Sequence, residues 1–108
     1  MVQQITPQDL ARKLADGQAV TLIDVRQPKE HAFAAIAGST LIPLNELAAR
    51  VGEIPVKPNV PIVVYCHHGM RSQTAAAHLE KAGLSGVFSL TGGIEAWSCD
   101  VDPSVPRY

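Results

Sequence analysis

The chain contains no run of about 18 apolar residues, so a transmembrane helix is not expected. It also lacks an excess of basic residues: Lys plus Arg number 9 against 10 Asp plus Glu, a net charge of −1. That balance argues against a nucleic-acid or membrane-surface binder, since a polyanion needs a basic face. Met1-Val2-Gln3-Gln4-Ile5 has neither the basic nor the apolar region of a signal peptide, and a cytoplasmic protein is expected. Cysteine is scarce. Cys66 and Cys99 form no Cys-x-x-Cys pair and are too few for a disulfide scaffold. In a reducing compartment both are expected as free thiols. Repeats, low-complexity segments and long linkers are also missing, and 108 residues suit one domain.

What is present is a 46% hydrophobic chain in which strand-like and helix-like segments alternate. Thr6-Pro7-Gln8-Asp9 reads as a helix start, with Thr6 as N-cap and Pro7 in the first turn. Leu10 and Leu14 follow at helical spacing, and Gly17 ends the helix. Val20–Val25 is a strand candidate, Pro28 opens a short polar stretch, and Thr40–Ile42 is a short strand before Pro43. A helix is expected from about Asn45 to Val51. Ile62-Val63-Val64-Tyr65 is apolar without alternation, as a central parallel strand covered on both faces requires. A helix from Gln73 to Ala82, a strand at Val87–Leu90 and a last short helix after Gly92-Gly93 complete the pattern. Such alternation predicts an α/β fold with a parallel sheet and helices on both faces.

In sheets of this kind functional loops gather at the carboxyl ends of the strands. Two candidates stand there: Asp24-Val25-Arg26, and Cys66-His67-His68-Gly69-Met70-Arg71-Ser72. The second loop is short and must curl tightly, and Gly69 supplies the backbone freedom to do so. Tight curling turns successive N–H groups inward as an anion-binding nest. The following helix adds its free N–H groups and partial positive charge. Arg71 reinforces that field or clamps an incoming anion. The expected result is a reactive Cys66 whose sulfur can hold negative charge.

Cys66-x-x-Gly69-x-Arg71-Ser72 resembles the active-site loop of the rhodanese family of sulfurtransferases. Further segments resemble the family in the same order: Asp24-Val25-Arg26, Glu30-His31, Ile36-Ala37-Gly38-Ser39 with Ile42-Pro43, and Leu90-Thr91-Gly92-Gly93-Ile94-Glu95-Ala96-Trp97. The resemblance spans nearly the whole chain. It implies a five-stranded parallel sheet between helices and a catalytic Cys66. It also implies a reaction in which sulfur from a small-molecule donor such as thiosulfate passes through a Cys66 persulfide to cyanide, a thiol or a protein thiol. No metal or organic cofactor is implied. His67, His68, Gly69, Met70, Arg71 and Ser72 are the candidate substrate-binding loop.

Alternatives on the same fold are a phosphatase or arsenate-type reductase, or a non-catalytic interaction module. The phosphatases of this fold resemble Cys-x5-Arg, whereas four residues separate Cys66 from Arg71 here, a smaller ring suited to one outer sulfur atom. A reductase calls for a paired thiol near the loop, and an inactive module is expected to lack the loop cysteine. His67 and His68 either tune the pocket's charge or are ordinary loop residues. Consecutive Cys66, His67 and His68 do not suit one metal ion. Asp24 and Arg26 are expected to brace the loop, with Glu30 as a partner for Arg26. Trp97 is expected in the core, and Cys99 as an incidental thiol rather than a sulfur relay.

Overall fold

A computed structural model describes residues 2–108; Met1, part of the segment read for signal-peptide character, lies outside them. The elements are β1 (Gln3–Ile5), α1 (Pro7–Ala15), β2 (Thr21–Asp24), α2 (Pro28–Phe33), β3 (Thr40–Leu41), α3 (Leu47–Arg50), β4 (Ile62–Tyr65), α4 (Met70–Lys81), β5 (Val87–Leu90) and α5 (Gly93–Asp100). One-turn 3₁₀ segments at Leu44–Glu46 and Val51–Glu53 flank α3. Among the described residues no helix is long and apolar enough to cross a membrane.

The five strands form one sheet in the order β1-β5-β4-β2-β3, and every neighbouring pair is parallel. The central strand β4 is buried along its whole length, as its unbroken apolar run demands. Its side chains alternate between two cores. Ile62 and Val64 join Ile23, Val25, Leu47, Ala75, Ala76 and Leu79 beneath α3 and α4. Val63 and Tyr65 join Ile5, Leu10, Leu22, Leu90, Ile94 and Trp97 beneath α1 and α5. Helices therefore cover both faces, and Trp97 is core as expected. Cys66 continues the alternation onto the α4 face, which points its sulfur at the start of that helix.

Several boundaries differ from the sequence reading. β1 is an edge strand whose Gln3 and Gln4 are exposed, so only Ile5 carries an apolar signal. The polar stretch opened by Pro28 is a helix. Pro28 occupies its first turn, and the Glu30 carboxylate accepts the Gln27 N–H at 3.0 Å. β3 stops at Leu41, one residue before the expected end. The helix expected from Asn45 to Val51 contains one α-turn between the two 3₁₀ segments. α1 agrees in detail: Thr6 Oγ1 accepts the Asp9 N–H at 3.1 Å.

The most consequential difference is α4, which starts at Met70 rather than Gln73. Gly69 occupies its N-cap with φ +108°, a conformation that a side chain would strain. The first turn of α4 is thus part of the loop that Cys66 opens.

Candidate active site

The candidate site lies at the carboxyl ends of β4 and β2. Cys66 is 1% exposed. Its Sγ accepts the Gly69 N–H at 3.0 Å and the Ser72 N–H at 3.3 Å. Ser72 stands at the third helical position of α4, where an N–H has no intrahelical acceptor. The sulfur therefore takes the place of a cap, at the positive end of a 12-residue helix. This arrangement stabilises an anion at Sγ without any basic side chain touching it.

A hydroxyl pair backs the sulfur. Ser72 Oγ lies 3.6 Å from Sγ, 3.1 Å from the Gly69 carbonyl oxygen and 2.7 Å from Ser89 Oγ. Both serines are fully buried. With Ser89 donating to Ser72, the single Ser72 proton is free to point at the Gly69 carbonyl or at an anionic sulfur. Ser89 was not among the residues singled out from the sequence. Its signal was a polar side chain inside the apolar strand Val87–Leu90.

The other side of the loop rests on the start of α5. The Ile94 N–H donates to the Cys66 carbonyl at 2.9 Å, and the Glu95 N–H donates to the His67 carbonyl at 3.1 Å. Gly93 makes this approach possible. Its φ is +62°, and a Cβ there would stand 2.5 Å from both the Cys66 and His67 carbonyl oxygens. The Gly92-Gly93 pair is thus a docking platform for the loop as well as a turn.

Arg71 does not touch the sulfur. Its two terminal nitrogens form a bidentate pair with Glu30, at 2.8 and 3.0 Å, and its side chain is 37% exposed. This corrects the expected Glu30–Arg26 pairing. Arg26 is instead sealed against Asp24, with Nε on Oδ1 at 2.9 Å and Nη2 on Oδ2 at 2.7 Å, both side chains fully buried. Arg26 Nη2 also donates to the Ala34 carbonyl, and its main-chain N–H returns to Asp24 Oδ1 at 2.9 Å. His31 Nδ1 lies 2.8 Å from Asp24 Oδ2. Although burial disfavours the Arg26 charge, Asp24 outweighs it and holds the guanidinium firmly protonated.

Asp24 and Arg26 reach the loop only indirectly, through Tyr108. Arg26 Nη1 donates to the Tyr108 hydroxyl at 2.7 Å, and that hydroxyl donates to Glu30 Oε2 at 2.7 Å. Two ion pairs, Asp24–Arg26 and Glu30–Arg71, are joined by one phenol. Nothing in the sequence marked Tyr108 for this place.

His67 is sandwiched. Its ring stacks on Tyr108 at 3.9 Å between centroids and 7° between planes, and on His68 at 3.9 Å and 26°. Burial and then His68 lower the pKa of His67, which favours the neutral ring. His68 is exposed, and Met70 projects outward with 81% exposure. Cys99 lies on the exposed face of α5, with Sγ 3.8 Å from Glu95 Oε2.

The Arg71 guanidinium, aided by the Gln27 N–H and the Tyr108 hydroxyl, holds Glu30 down to about 2 despite its partial burial. The contribution of this pair to stability is complete above the ordinary glutamate value of 4.5 and is lost as pH falls through about 2. An NMR titration of the Glu30 side-chain carboxyl is expected to give a midpoint near 2. A midpoint at the ordinary value would show that Arg71 does not hold Glu30 in solution.

The family model described as Rhodanese-like domain matches residues 6–100. A sulfurtransferase from Allochromatium vinosum is 39% identical over 98 residues, which are 91% of this chain and 90% of that protein. A thiosulfate sulfurtransferase from Pseudomonas paraeruginosa is 37% identical over 95 residues, 88% of this chain and 83% of that one. The crystal structure of a rhodanese-related protein from Thermoplasma volcanium superposes with a TM-score of 0.81 at 32% identity, covering 98% of this chain and 99% of that one. The five-stranded parallel sheet with its helices agrees with the fold of these matches. The chain belongs to the rhodanese-like domain family.

Proposed function

We propose that this protein is a sulfurtransferase that carries sulfane sulfur as a persulfide on Cys66, with thiosulfate as a competent donor. The observation that carries the reading is the Cys66 sulfur held by the Gly69 and Ser72 N–H groups at the start of α4. In the first half-reaction the Cys66 thiolate attacks the outer sulfur of thiosulfate. A new S–S bond forms, the donor's own S–S bond breaks, and sulfite leaves with its electron pair. In the second half, cyanide or an acceptor thiolate attacks the outer sulfur of the persulfide. The Cys66–sulfur bond breaks, and the electron pair returns to Cys66 as thiolate. Neither half needs an obligatory general base, so a neutral His67 is no obstacle.

Met70 and Arg71 stand at the first two helical positions of α4, where main-chain N–H groups also lack intrahelical acceptors. Their N–H groups are further main-chain donors for the charge on an outer sulfur. The relatives support the reading: one is named a sulfurtransferase and another a thiosulfate sulfurtransferase.

Intact-protein mass spectrometry after thiosulfate treatment tests it. One added sulfur, about 32 Da, is expected on Cys66 and is expected to vanish with cyanide or dithiothreitol. Sulfur on Cys99 alone, or on neither cysteine, would overturn the mechanism.

A further inference from the structure

We propose that the segment 101–108 is a strap across the loop, and that Tyr108 determines which partners reach Cys66 according to their size. The inference rests on the sulfur-transfer reading, for it concerns the access of donors and acceptors to that thiol.

Tyr108 is linked to both ends of the loop, directly at His67 and through Glu30 at Arg71. Its ring lies flat on His67, the residue after Cys66, and its hydroxyl binds Glu30, the partner of Arg71. A side chain that contacts a neighbour of Cys66 and, through Glu30, is linked to Arg71 stands at the rim of the loop. Phe33 closes one flank, its ring meeting Tyr108 edge to face at 5.9 Å. Below, Cys66 is 1% exposed, so any partner larger than a few atoms requires the rim to move.

Val101 and Val105 root the strap on the core beneath α1 and α5, and three polar contacts outside the loop fasten the rest. Ser98 Oγ donates to the Val105 carbonyl at 2.6 Å. Arg107 binds the Glu95 carboxylate, with Nη2 to Oε2 at 2.6 Å. Arg26 donates to the Tyr108 hydroxyl at 2.7 Å. The last two residues, Arg107 and Tyr108, are held specifically yet weakly. Arg107 and Tyr108 are 64% and 43% exposed, respectively, and an exposed ion pair contributes little in water. The end of the strap is therefore ordered but releasable: closed over a small anion, and displaced by a protein thiol or a bulky persulfide donor. The phenol also has a reason to stay neutral. Burial, with Glu30 beside it, raises its pKa to about 12, so it keeps donating to Glu30 across the neutral range.

Alkylation reads access to Cys66 independently of sulfur chemistry. Cys66 is modified with iodoacetamide and with a bulky maleimide dye, and exposed Cys99 in the same molecule is the internal reference, each resolved by peptide mass spectrometry. In the parent protein the Cys66/Cys99 rate ratio is expected to fall steeply from the small reagent to the large one. Tyr108→Ala removes the stack and the bridge. It is expected to raise the ratio for the dye roughly two- to tenfold, the worth of one aromatic stack, with a smaller gain for iodoacetamide. General loosening of the fold would raise both reagents alike and would overturn the proposal, as would an unchanged ratio for the dye. Tyr108→Phe keeps the ring on His67 and is expected to keep most of the size discrimination. An equal gain in the Phe and Ala variants would transfer the effect to the Glu30 bridge and overturn steric cover by the ring. A missing thiosulfate adduct together with intact size discrimination would remove the sulfur-transfer reading and leave the strap. The adduct without discrimination would do the reverse.

Discussion

Cys66→Ser is expected to keep the fold and to lose thiosulfate:cyanide turnover down to background. The fold survives because a hydroxyl can accept the same Gly69 and Ser72 N–H groups that now meet Sγ at 3.0 and 3.3 Å. The change also removes no methylene from the core around Val64 and Ala76. Activity does not survive, because the proposed intermediate is a sulfur–sulfur bond and the oxygen of serine offers neither the polarisable nucleophile nor the leaving group for it. A loss on the order of 10⁶-fold, near the low end of enzymatic rate enhancement, is expected. Cys99→Ser is expected to retain turnover. Thiocyanate formation and thermal unfolding of the two variants, measured together, check the result. Turnover within tenfold of the parent in Cys66→Ser would move the sulfur carrier away from this loop.

One glycine inserted after Gly69 is expected to cut sulfur transfer by on the order of 100-fold or more while leaving the sheet intact. The two N–H groups on Sγ come from residues three and six positions after Cys66. Gly69 also anchors the helix, its carbonyl accepting the Gln73 N–H at 3.2 Å and the Ser72 hydroxyl at 3.1 Å. An extra residue cannot keep both N–H groups on the sulfur and the first turn of α4 in place. Losing one preorganised donor to a charged intermediate typically costs about 100-fold to 1,000-fold. The strands are spared because the change falls at the start of α4, beyond the carboxyl end of β4. Turnover measured beside circular dichroism checks this. A folded variant with undiminished transfer would show that ring size does not set the chemistry, and the phosphatase reading would then have to be reopened. Gain of aryl-phosphate hydrolysis is not expected, since a wider ring alone supplies no general acid.

The strongest local patterns yielded the framework. Ile62–Tyr65 had to be covered on both faces, and its period-2 alternation carried Cys66 to the α4 side. Gly69 marked the turn, and the free N–H groups of a helix start supplied the cradle. Weak local patterns were missed. β1 presents one buried residue of three, and α2 has no buried residue, so neither shows an apolar period. The first turn of α4 buries no apolar side chain, since Met70 is exposed, Arg71 pairs with Glu30 and Ser72 is polar, and Gly69 in the left-handed region marks where the helix starts.

Pairing was the part that chain order could not decide. Arg26 and Arg71 were both chemically suitable partners for Glu30, and nearness in sequence favoured the wrong one. The parallel order of β4 beside β2 brings Arg71 to Glu30 across 41 positions, while Asp24, on the same strand end as Arg26, takes that guanidinium first. Ser89 meets Ser72 because β5 adjoins β4 under α4, and Tyr108 meets Glu30 across 78 positions because the segment after α5 folds back over the loop. The cysteine loop, its spacing and the strand that presents it are legible in the chain, since they follow from covalent order and short-range periodicity. Which charges neutralise one another, and that Tyr108 stacks on His67, follow from the packing of the folded chain. Those contacts join residues far apart in the chain, and Coulomb attraction and stacking depend on distance in space, not on separation in sequence.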